Sequence, residues 1–368
     1  MTGKEKEIAN YADVAMFKAE EIDRTKGPQV FLLSCNNDPL GSIAAAAKAY
    51  KGEFVESLAQ ITDDERRYYL KEVQKSVLEM PLEAVQFHFR ITGVTRGFTH
   101  QMVRQRTAAY SQESTRFAVK EDVPVGLPPS LQDTMPWNEW VEECAMEIYP
   151  VRSQRREYLQ DRRDQAEEFA ETMADKDQLW RRRWDRAIGV IEEEYNALVN
   201  EGMPAEDARG LLPTNLLTQI NYITDLRGLK GHAGVRLCTQ AQFEWRQVWA
   251  QIVRAIREYG KTQTYMTNDN VHDIPENQKS SQWQFDALAD IFRPICYYRG
   301  SCQFQADFDR HCIIRDRVEE NAGINRPSTD WDKEWVGPNP LSPTGAEGYI
   351  GPIFPAEWLL DPSAARTK

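Results

Sequence analysis

The chain has 368 residues, of which 41% are hydrophobic, and a formal net charge of −12. This is enough apolar material for one large domain or two, and the acidic balance argues against a protein that coats nucleic acid. No stretch approaches the roughly 18 continuous apolar residues of a membrane-spanning helix, and the first residues form a charged segment without a signal-peptide core. We therefore expect a soluble, cytoplasmic protein that binds neither nucleic acid nor membranes.

The first elements predicted in chain order are a strand and two helices. Residues 29–35 (QVFLLSC) predict a buried strand, and residues 42–50 predict a helix of small side chains. A second helix is predicted to begin at Thr62, because Thr62 and Glu65 have the spacing of a capping box, and to run to about Leu78.

The next stretch changes its period. Residues 85–92 alternate strictly between apolar and polar side chains, which predicts a half-buried strand that ends at Gly93. From Thr95 the spacing becomes helical, and the small and hydroxyl residues after Arg106 indicate a turn or an irregular strand. Much later in the chain, an amphipathic helix is predicted from Ala241. Its apolar stripe, typical of a core or a subunit interface, contains Trp245, Val248, Trp249, Ile252 and Ile256.

Residues 95–119 combine arginines with hydroxyl and amide side chains. Arginine offers a planar fork of donors that matches phosphate and carboxylate groups, so this composition favours a site for a phosphorylated ligand. On composition alone, an exposed helix end whose arginines form salt bridges with acidic residues elsewhere is an equally good interpretation.

One motif in this segment resembles a known family. Arg104, Gln105 and Arg106 are followed after seven residues by Ser114 and then by Arg116. This pattern resembles the signature of flavin-dependent thymidylate synthases, which reads Arg-His-Arg, seven residues, Ser, and usually continues with an arginine and an aromatic residue. The chain departs from the family at Gln105, because glutamine can donate and accept hydrogen bonds but cannot ionise near neutral pH as histidine can.

A second match lies about 100 residues farther on. Arg209 precedes a Leu-Pro element, and Arg236 comes nine positions after Arg227, as in the family. Asp225 and Gly231 stand where the family usually has asparagines that contact flavin.

The resemblance implies an α+β fold with a central, mostly antiparallel sheet flanked by helices. It further implies FAD-dependent reductive methylation of dUMP at uracil C5 to give dTMP, with NADPH and methylenetetrahydrofolate as co-substrates, in a homotetramer whose sites combine several subunits. The implied dUMP-binding residues are Gln101, Arg104, Gln112, Ser114, Arg116, Arg209 and Arg236. The implied FAD-binding residues are Arg104, Gln105, Arg106, Gln112, Asp225, Arg227 and Gly231. Arg236 is the implied catalytic residue, which would stabilise negative charge on the uracil ring.

Residues 1–300 are predicted to form the catalytic domain, within which residues 138–200 are helical and 150–186 form a helical insertion. Residues 301–368 are rich in proline and predict an extended C-terminal tail. We expect no metal site, since the spacing of the candidate ligands fits no common zinc pattern; these are Cys296, Cys302, His311 and Cys312.

Two alternatives stay open at this point. Gln105, Asp225 and Gly231 favour a related flavoenzyme that makes another C5 substituent, such as hydroxymethyl, or that uses a ribonucleotide. The other alternative is a flavin- or nucleotide-binding protein without turnover.

Overall fold

The computed structural model describes residues 17–18, 27–76, 78–116, 118–119, 123–148, 163–238, 241–260, 264–266, 271–273 and 282–295. The strands in these ranges are β1 (Phe17–Lys18), β2 (Gln29–Cys35), β3 (Gln86–Thr95), β4 (Ala108–Gln112), β5 (Ala118–Val119), β6 (Leu217–Asp225), β7 (Thr264–Met266) and β8 (Val271–Asp273). The helices are α1 (Pro39–Tyr50), α2 (Asp63–Lys75), α3 (Arg96–Met102), α4 (Trp137–Ile148), α5 (Arg163–Met173), α6 (Lys176–Asn200), α7 (Ala205–Ala208), α8 (Leu226–Arg236), α9 (Phe243–Tyr259) and α10 (Gln282–Ala289).

The chain divides into two compact units. The first contains Glu113–Leu217 together with Met1–Arg24, and the second contains Thr25–Gln112 and Thr218–Lys368. The predicted boundaries at residues 150, 186 and 300 remain predictions.

The second unit is built on a four-stranded sheet with the order β2-β3-β6-β4. β2 pairs antiparallel with β3, and β4 pairs antiparallel with β6. Between β3 and β6, His88 bonds to Asn221 and Arg90 bonds to Gln219. Residue numbers rise on one strand while they fall on the other, as in antiparallel neighbours. The predicted α+β class with an antiparallel sheet is confirmed.

The core of this unit lies on one face of the sheet. Phe87, Phe89 and Ile91 of β3 are buried, as the alternating sequence predicted. The amphipathic α9 (Phe243–Tyr259) is also confirmed, and all the side chains of its predicted stripe lie in the same core cluster as β3. Within this chain the stripe is therefore core.

The strand β2 departs from its prediction. Residues 29–35 do form a strand, but Phe31 is 52% exposed and Leu33 is 50% exposed, so the strand is not buried on both faces. Phe31 and Leu33 are two positions apart and share the face of the strand opposite to Val30 and Leu32, which pack on the core; a short apolar run does not reveal which face stays uncovered.

The end of β3 was also predicted wrongly. The strand continues through Gly93 to Thr95, where the side chain of Thr95 caps α3. Gly93 has φ +70°, and a Cβ there would lie 2.7 Å from the carbonyl oxygen of Gly27. Here glycine lets the strand bend and approach a neighbouring backbone without ending it.

Each of the first two helices was predicted correctly at one terminus, α1 at its end, Tyr50, and α2 at its start. The capping box of Thr62 and Glu65 is present, with both hydrogen bonds formed, but α2 ends at Lys75, before the expected Leu78. The helix α1 begins at Pro39, three residues before its predicted start, because the side chain of Asp38 caps it.

The helices of the first unit match the helical prediction for residues 138–200 in the described part of the chain, apart from a break at residues 174–175, where the Asp175 side chain caps α6. α4 and α5 bury a shared apolar cluster that includes Trp137, Ala145 and Ala170. Residues 149–162, the predicted tail 301–368 and the four candidate ligands from Cys296 to Cys312 lie outside the described residues. None of the helices in the part that the structure describes is long and apolar enough to cross a membrane.

Candidate functional site

A cavity of about 770 Å³ opens in the second unit, beside α8. Seven of the predicted site residues line it, together with others that the sequence did not single out. The predicted ones are Gln101, Arg104, Gln105, Asp225, Arg227, Gly231 and Arg236; the others are Glu83, Thr107, Gly228, His232 and Val235.

One face of α8 (Leu226–Arg236) forms much of the wall. Its lining positions are 227, 228, 231, 232, 235 and 236, a spacing that keeps them on one side of a helix. The helix begins where Asp225 accepts a hydrogen bond from the Gly228 amide at 2.7 Å, so this carboxylate acts as a helix cap. The cap fixes the direction in which α8 presents Arg227, Gly231 and Arg236.

The Arg236 guanidinium is held in place on two sides. Its Nη1 donates to Gln101 Oε1 at 3.2 Å, and its Cζ lies 4.7 Å from the centre of the Trp245 ring. Trp245 Nε1 donates to the same Gln101 oxygen at 3.1 Å. Burial and then the nearby charge of Arg104 lower the pKa of Arg236. Its Nε is buried and has no hydrogen-bond partner among the residues that the structure describes, so this donor is left for a ligand.

The helix α3 brings Gln101 to this position. Both the amide and the hydroxyl of Thr95, the cap of α3, donate to the partly buried Glu244 carboxylate of α9, at 2.6 and 2.7 Å. Because α3 and α9 are joined at this point, Gln101 and Trp245 reach Arg236 from two fixed helices.

Gln105 takes part in a polar chain on the other wall. Its Nε2 donates to the Gly228 carbonyl at 2.9 Å, and its Oε1 accepts from the Tyr222 hydroxyl at 2.9 Å. The Tyr222 oxygen lies 3.3 Å from Nδ1 of His232. Burial raises the pKa of Tyr222, and burial followed by the charge of Arg236 lowers the pKa of His232 to about 3. Both side chains are therefore neutral near pH 7.

At the rim, Arg227 forms an ion pair with Glu83, and both side chains are close to half exposed. Two predicted FAD-binding residues do not line the cavity. Arg106 is exposed, and Gln112 donates to Thr99 Oγ1 at 2.9 Å.

The remaining predicted residues lie in the first unit and meet one another there. Arg116 binds the Glu206 carboxylate through two nitrogens, both at 2.9 Å, and Ser114 Oγ accepts the Arg116 amide at 3.3 Å. Arg209 Nη2 lies 3.9 Å from the same carboxylate, and its Nε donates to the Glu206 carbonyl at 2.9 Å. These three side chains form a second group, in which Glu206 is shared by two exposed arginines.

Sequence reasoning missed Tyr222, His232 and Glu206. One signal was available for His232, because it precedes Arg236 by four residues and so shares its helix face. Tyr222 carried no signal, since its partner Gln105 lies 117 residues earlier.

Comparison with known proteins gives the family. The family model described as "Thymidylate synthase complementing protein" matches residues 31–259, more than half of the chain. A flavin-dependent thymidylate synthase of Pyrococcus furiosus is 31% identical over 222 residues, covering 60% of this chain and 75% of its own length. One from Saccharolobus solfataricus is 27% identical over 270 residues, covering 72% and 85%.

Two solved structures share part of the backbone arrangement. A UMP/dUMP methylase from Streptomyces cacaoi bound with 5-Br dUMP matches with a TM-score of 0.43 and 18% identity, covering 64% of this chain and 90% of its own. A flavin-dependent thymidylate synthase from Helicobacter pylori complexed with FAD and dUMP matches with 0.40 and 16%, covering 62% and 93%. The sequence matches, rather than these partial overlaps, decide the assignment: the chain belongs to the family of flavin-dependent thymidylate synthases.

Proposed function

We propose that the protein methylates dUMP at uracil C5 to give dTMP, with FAD as bound cofactor and with NADPH and methylenetetrahydrofolate as co-substrates. Family membership supports the reaction class. One observation links the proposal to this site: a single cavity is lined by seven residues for which the resemblance implies contacts with the nucleotide or the flavin.

The surroundings of Arg236 suit the role of a charge stabiliser. Attack from C5 requires the uracil ring to become electron-rich, and a fixed guanidinium beside the ring's carbonyl edge stabilises the developing negative charge. Gln101 and Trp245 hold Arg236 before any ligand binds, and its buried Nε retains an unused donor. Little reorganisation is then needed when the charge appears.

The residues of the cavity fit FAD. Its volume of about 770 Å³ lies within the range of roughly 300–1,000 Å³ that is usual for cofactor and ligand pockets. Arg104 and Arg227 would supply cations for the diphosphate, and Gln105 would supply an amide for the heterocyclic ring. When bound and reduced by NADPH, FAD supplies the reducing equivalents that convert the transferred one-carbon unit to a methyl group.

Ser114, Arg116 and Arg209 are proposed to bind the nucleotide phosphate. Two guanidinium groups that share the Glu206 carboxylate, with the Ser114 hydroxyl beside Arg116, form a set of donors that suits an anion, and a phosphate would replace Glu206 as the acceptor of the two arginines. A homotetramer with sites at subunit interfaces, as the resemblance implies, is part of the proposal, and analytical ultracentrifugation would test it.

The direct test is incubation of the purified, FAD-loaded protein with dUMP, methylenetetrahydrofolate and NADPH, followed by mass analysis of the nucleotide. We expect dTMP, and we expect none when the folate donor is omitted. NADPH oxidation that does not respond to dUMP, with no change in the mass of the base, would contradict the proposal.

A second candidate is a related enzyme that leaves another substituent at C5. The observation that favours it is that Gln105, Asp225 and Gly231, the three positions that depart from the family pattern, all line the same cavity. The same mass analysis separates a methylated base from a hydroxymethylated one, and parallel reactions with UMP test the sugar.

A further inference from the structure

The side-chain direction of Gln105 in the cavity is fixed by hydrogen bonds at both ends of its amide. Its amide nitrogen donates to the Gly228 carbonyl at 2.9 Å, and its oxygen receives the Tyr222 hydroxyl at 2.9 Å. A carbonyl oxygen can only accept, so turning the amide over would set two acceptors against each other at Gly228. The Gln105 nitrogen therefore faces Gly228, and its oxygen faces Tyr222.

This orientation determines which atom donates the hydrogen in each contact from Gln105 through Tyr222 to His232. A tyrosine hydroxyl has one proton, and Tyr222 gives it to Gln105. Toward His232, 3.3 Å away, the Tyr222 oxygen can then only accept. His232 must donate from Nδ1, which leaves Nε2 without a proton because the ring is neutral. Every hydrogen bond from His232 to Gln105 is thus assigned by donor and acceptor counting.

The amide keeps one donor for the cavity. Gln105 Nε2 carries two hydrogens, and only the one directed to Gly228 forms a short bond. The nearest partner for the second is Thr107 Oγ1 at 3.5 Å, the outer limit of a hydrogen bond, and both Gln105 and Thr107 line the cavity. A ligand acceptor placed there would form a better bond than Thr107 does.

We propose that Tyr222 and His232 are positioning residues that hold the Gln105 amide so that one of its N–H groups points to an acceptor atom of the heterocycle bound in the cavity. This inference rests on the proposed function for the identity of that heterocycle, which is the flavin ring of FAD. Both positioning side chains are almost completely buried, and their exposed fractions are 0% for Tyr222 and 8% for His232. Rings also confine them: Tyr110 stacks on Tyr222 at 5.5 Å, and Trp245 meets His232 edge-on at 4.8 Å.

The first test measures FAD binding by flavin fluorescence in a double-mutant cycle of Y222F and Q105L. Y222F removes one hydroxyl and leaves the ring, so we expect FAD affinity to fall about five- to tenfold, the value of one hydrogen bond. In the Q105L background Y222F should have no further effect, because there is no amide left to orient. Equal losses in both backgrounds would mean that the Tyr222 hydroxyl affects FAD affinity independently of Gln105, and would overturn the proposal.

Three further variants separate positioning from structural damage. Asparagine at position 232 offers an amide donor where histidine has Nδ1, so H232N should keep the affinity that H232L loses. Y259F is the matched control, because Tyr259 accepts a hydrogen bond from the Cys35 amide outside the cavity. We expect Y259F to lower thermal stability without changing FAD affinity; a loss of affinity equal to that of Y222F would contradict the assignment.

The hydrogen assignment can be tested without any ligand. The chain has five histidines, and ¹⁵N spectra of the ligand-free protein, assigned by the signal lost in H232N, report which ring nitrogen carries the proton. We expect the Nδ1–H tautomer near pH 7. An Nε2–H tautomer would overturn the proposed orientation of Gln105 even if FAD and dUMP bind. Failure of the wild type to bind either ligand would refute the proposed function. In that case the tautomer would still decide the orientation of Gln105.

Discussion

Arg236 in the second unit and Arg116 in the first are both among the residues proposed to bind dUMP, yet their surroundings differ. Arg236 is partly buried, lies against Trp245 and bonds to a neutral amide. Arg116 is 42% exposed and is bound through two nitrogens by Glu206, which is 47% exposed. One cation is held by neutral groups, and the other by an opposite charge.

This difference predicts what a ligand must displace in order to bind each arginine. At Arg236 nothing has to leave, because its buried Nε has no partner among the described residues and the amide and the ring only orient it. At Arg116 an incoming phosphate must displace a carboxylate, and an exposed ion pair of this kind costs little to break because water screens it. We therefore expect Arg236 to act on rate and Arg116 to act on affinity.

The largest expected effect is that of R236K. Lysine keeps the positive charge but loses the planar fork that meets Gln101 and the ring of Trp245. We expect kcat for dTMP formation to fall about 100-fold or more, as when one preorganised donor is removed from an active site. R254K, on the exposed side of α9, is the matched control and should leave kcat unchanged. A kcat in R236K equal to that of the wild type would contradict the expectation that Arg236 acts on rate and Arg116 on affinity.

R116A should act on affinity instead. Loss of a charge-assisted bond to phosphate is expected to raise the Kd for dUMP about tenfold, with kcat at saturating dUMP nearly unchanged. Deoxyuridine, which lacks the phosphate, should bind the variant and the wild type equally well. If deoxyuridine binding weakens as much as dUMP binding, Arg116 does not contact the phosphate.

Gly231 tests whether the α8 face is free for a ligand. A Cβ at this position meets nothing within 4 Å, so G231A fits the protein and should raise the free energy of unfolding by about 0.5–1 kcal/mol, since glycine is unfavourable inside a helix. The added methyl group occupies cavity space, so FAD affinity should fall severalfold. G189A in α6, where a Cβ also meets nothing, should give the stability gain alone. Unchanged FAD binding in G231A would place the flavin elsewhere.

The smallest expected effect is a gain of affinity in E206Q. Removing the shared negative charge frees Arg116 and Arg209 for a phosphate, and we expect the Kd for dUMP to fall about two- to fourfold, in keeping with an exposed ion pair. D207N removes an adjacent exposed charge and should leave the Kd unchanged. Weaker binding in E206Q would mean that Glu206 helps to hold the nucleotide rather than competing with it.

Local signals predicted the fold well where the cause is local. The capping box at Thr62 and the stripe that includes Trp245 depend on residues three or four apart, and both were found in the structure. The end of β3 was missed because the role of Gly93 depends on the Gly27 carbonyl, which lies 66 positions earlier in the chain. β6 was not predicted at all, because its alternate buried positions include the polar Thr218 and Thr224 beside Ile220 and Tyr222, which hides the apolar alternation of a strand.

The same limit applies to the site. The spacing of Arg227 and Arg236 allowed both to be named in advance, and α8 presents both to one cavity. The partner of each side chain could not be named, because the Tyr222 hydroxyl reaches Gln105 and the Glu206 carboxylate reaches Arg116 only after the chain has folded. Whether a polar residue is free or already bonded is decided by such distant partners.

The central claim is that the cavity beside α8 holds FAD and the uracil nucleotide together. The most direct test is an absorbance titration of the FAD-loaded protein with dUMP, in the wild type and in R236K. We predict a saturable change in the flavin spectrum of the wild type that is strongly reduced in R236K. A flavin spectrum that ignores dUMP in the wild type, at concentrations where dUMP is bound, would contradict the claim.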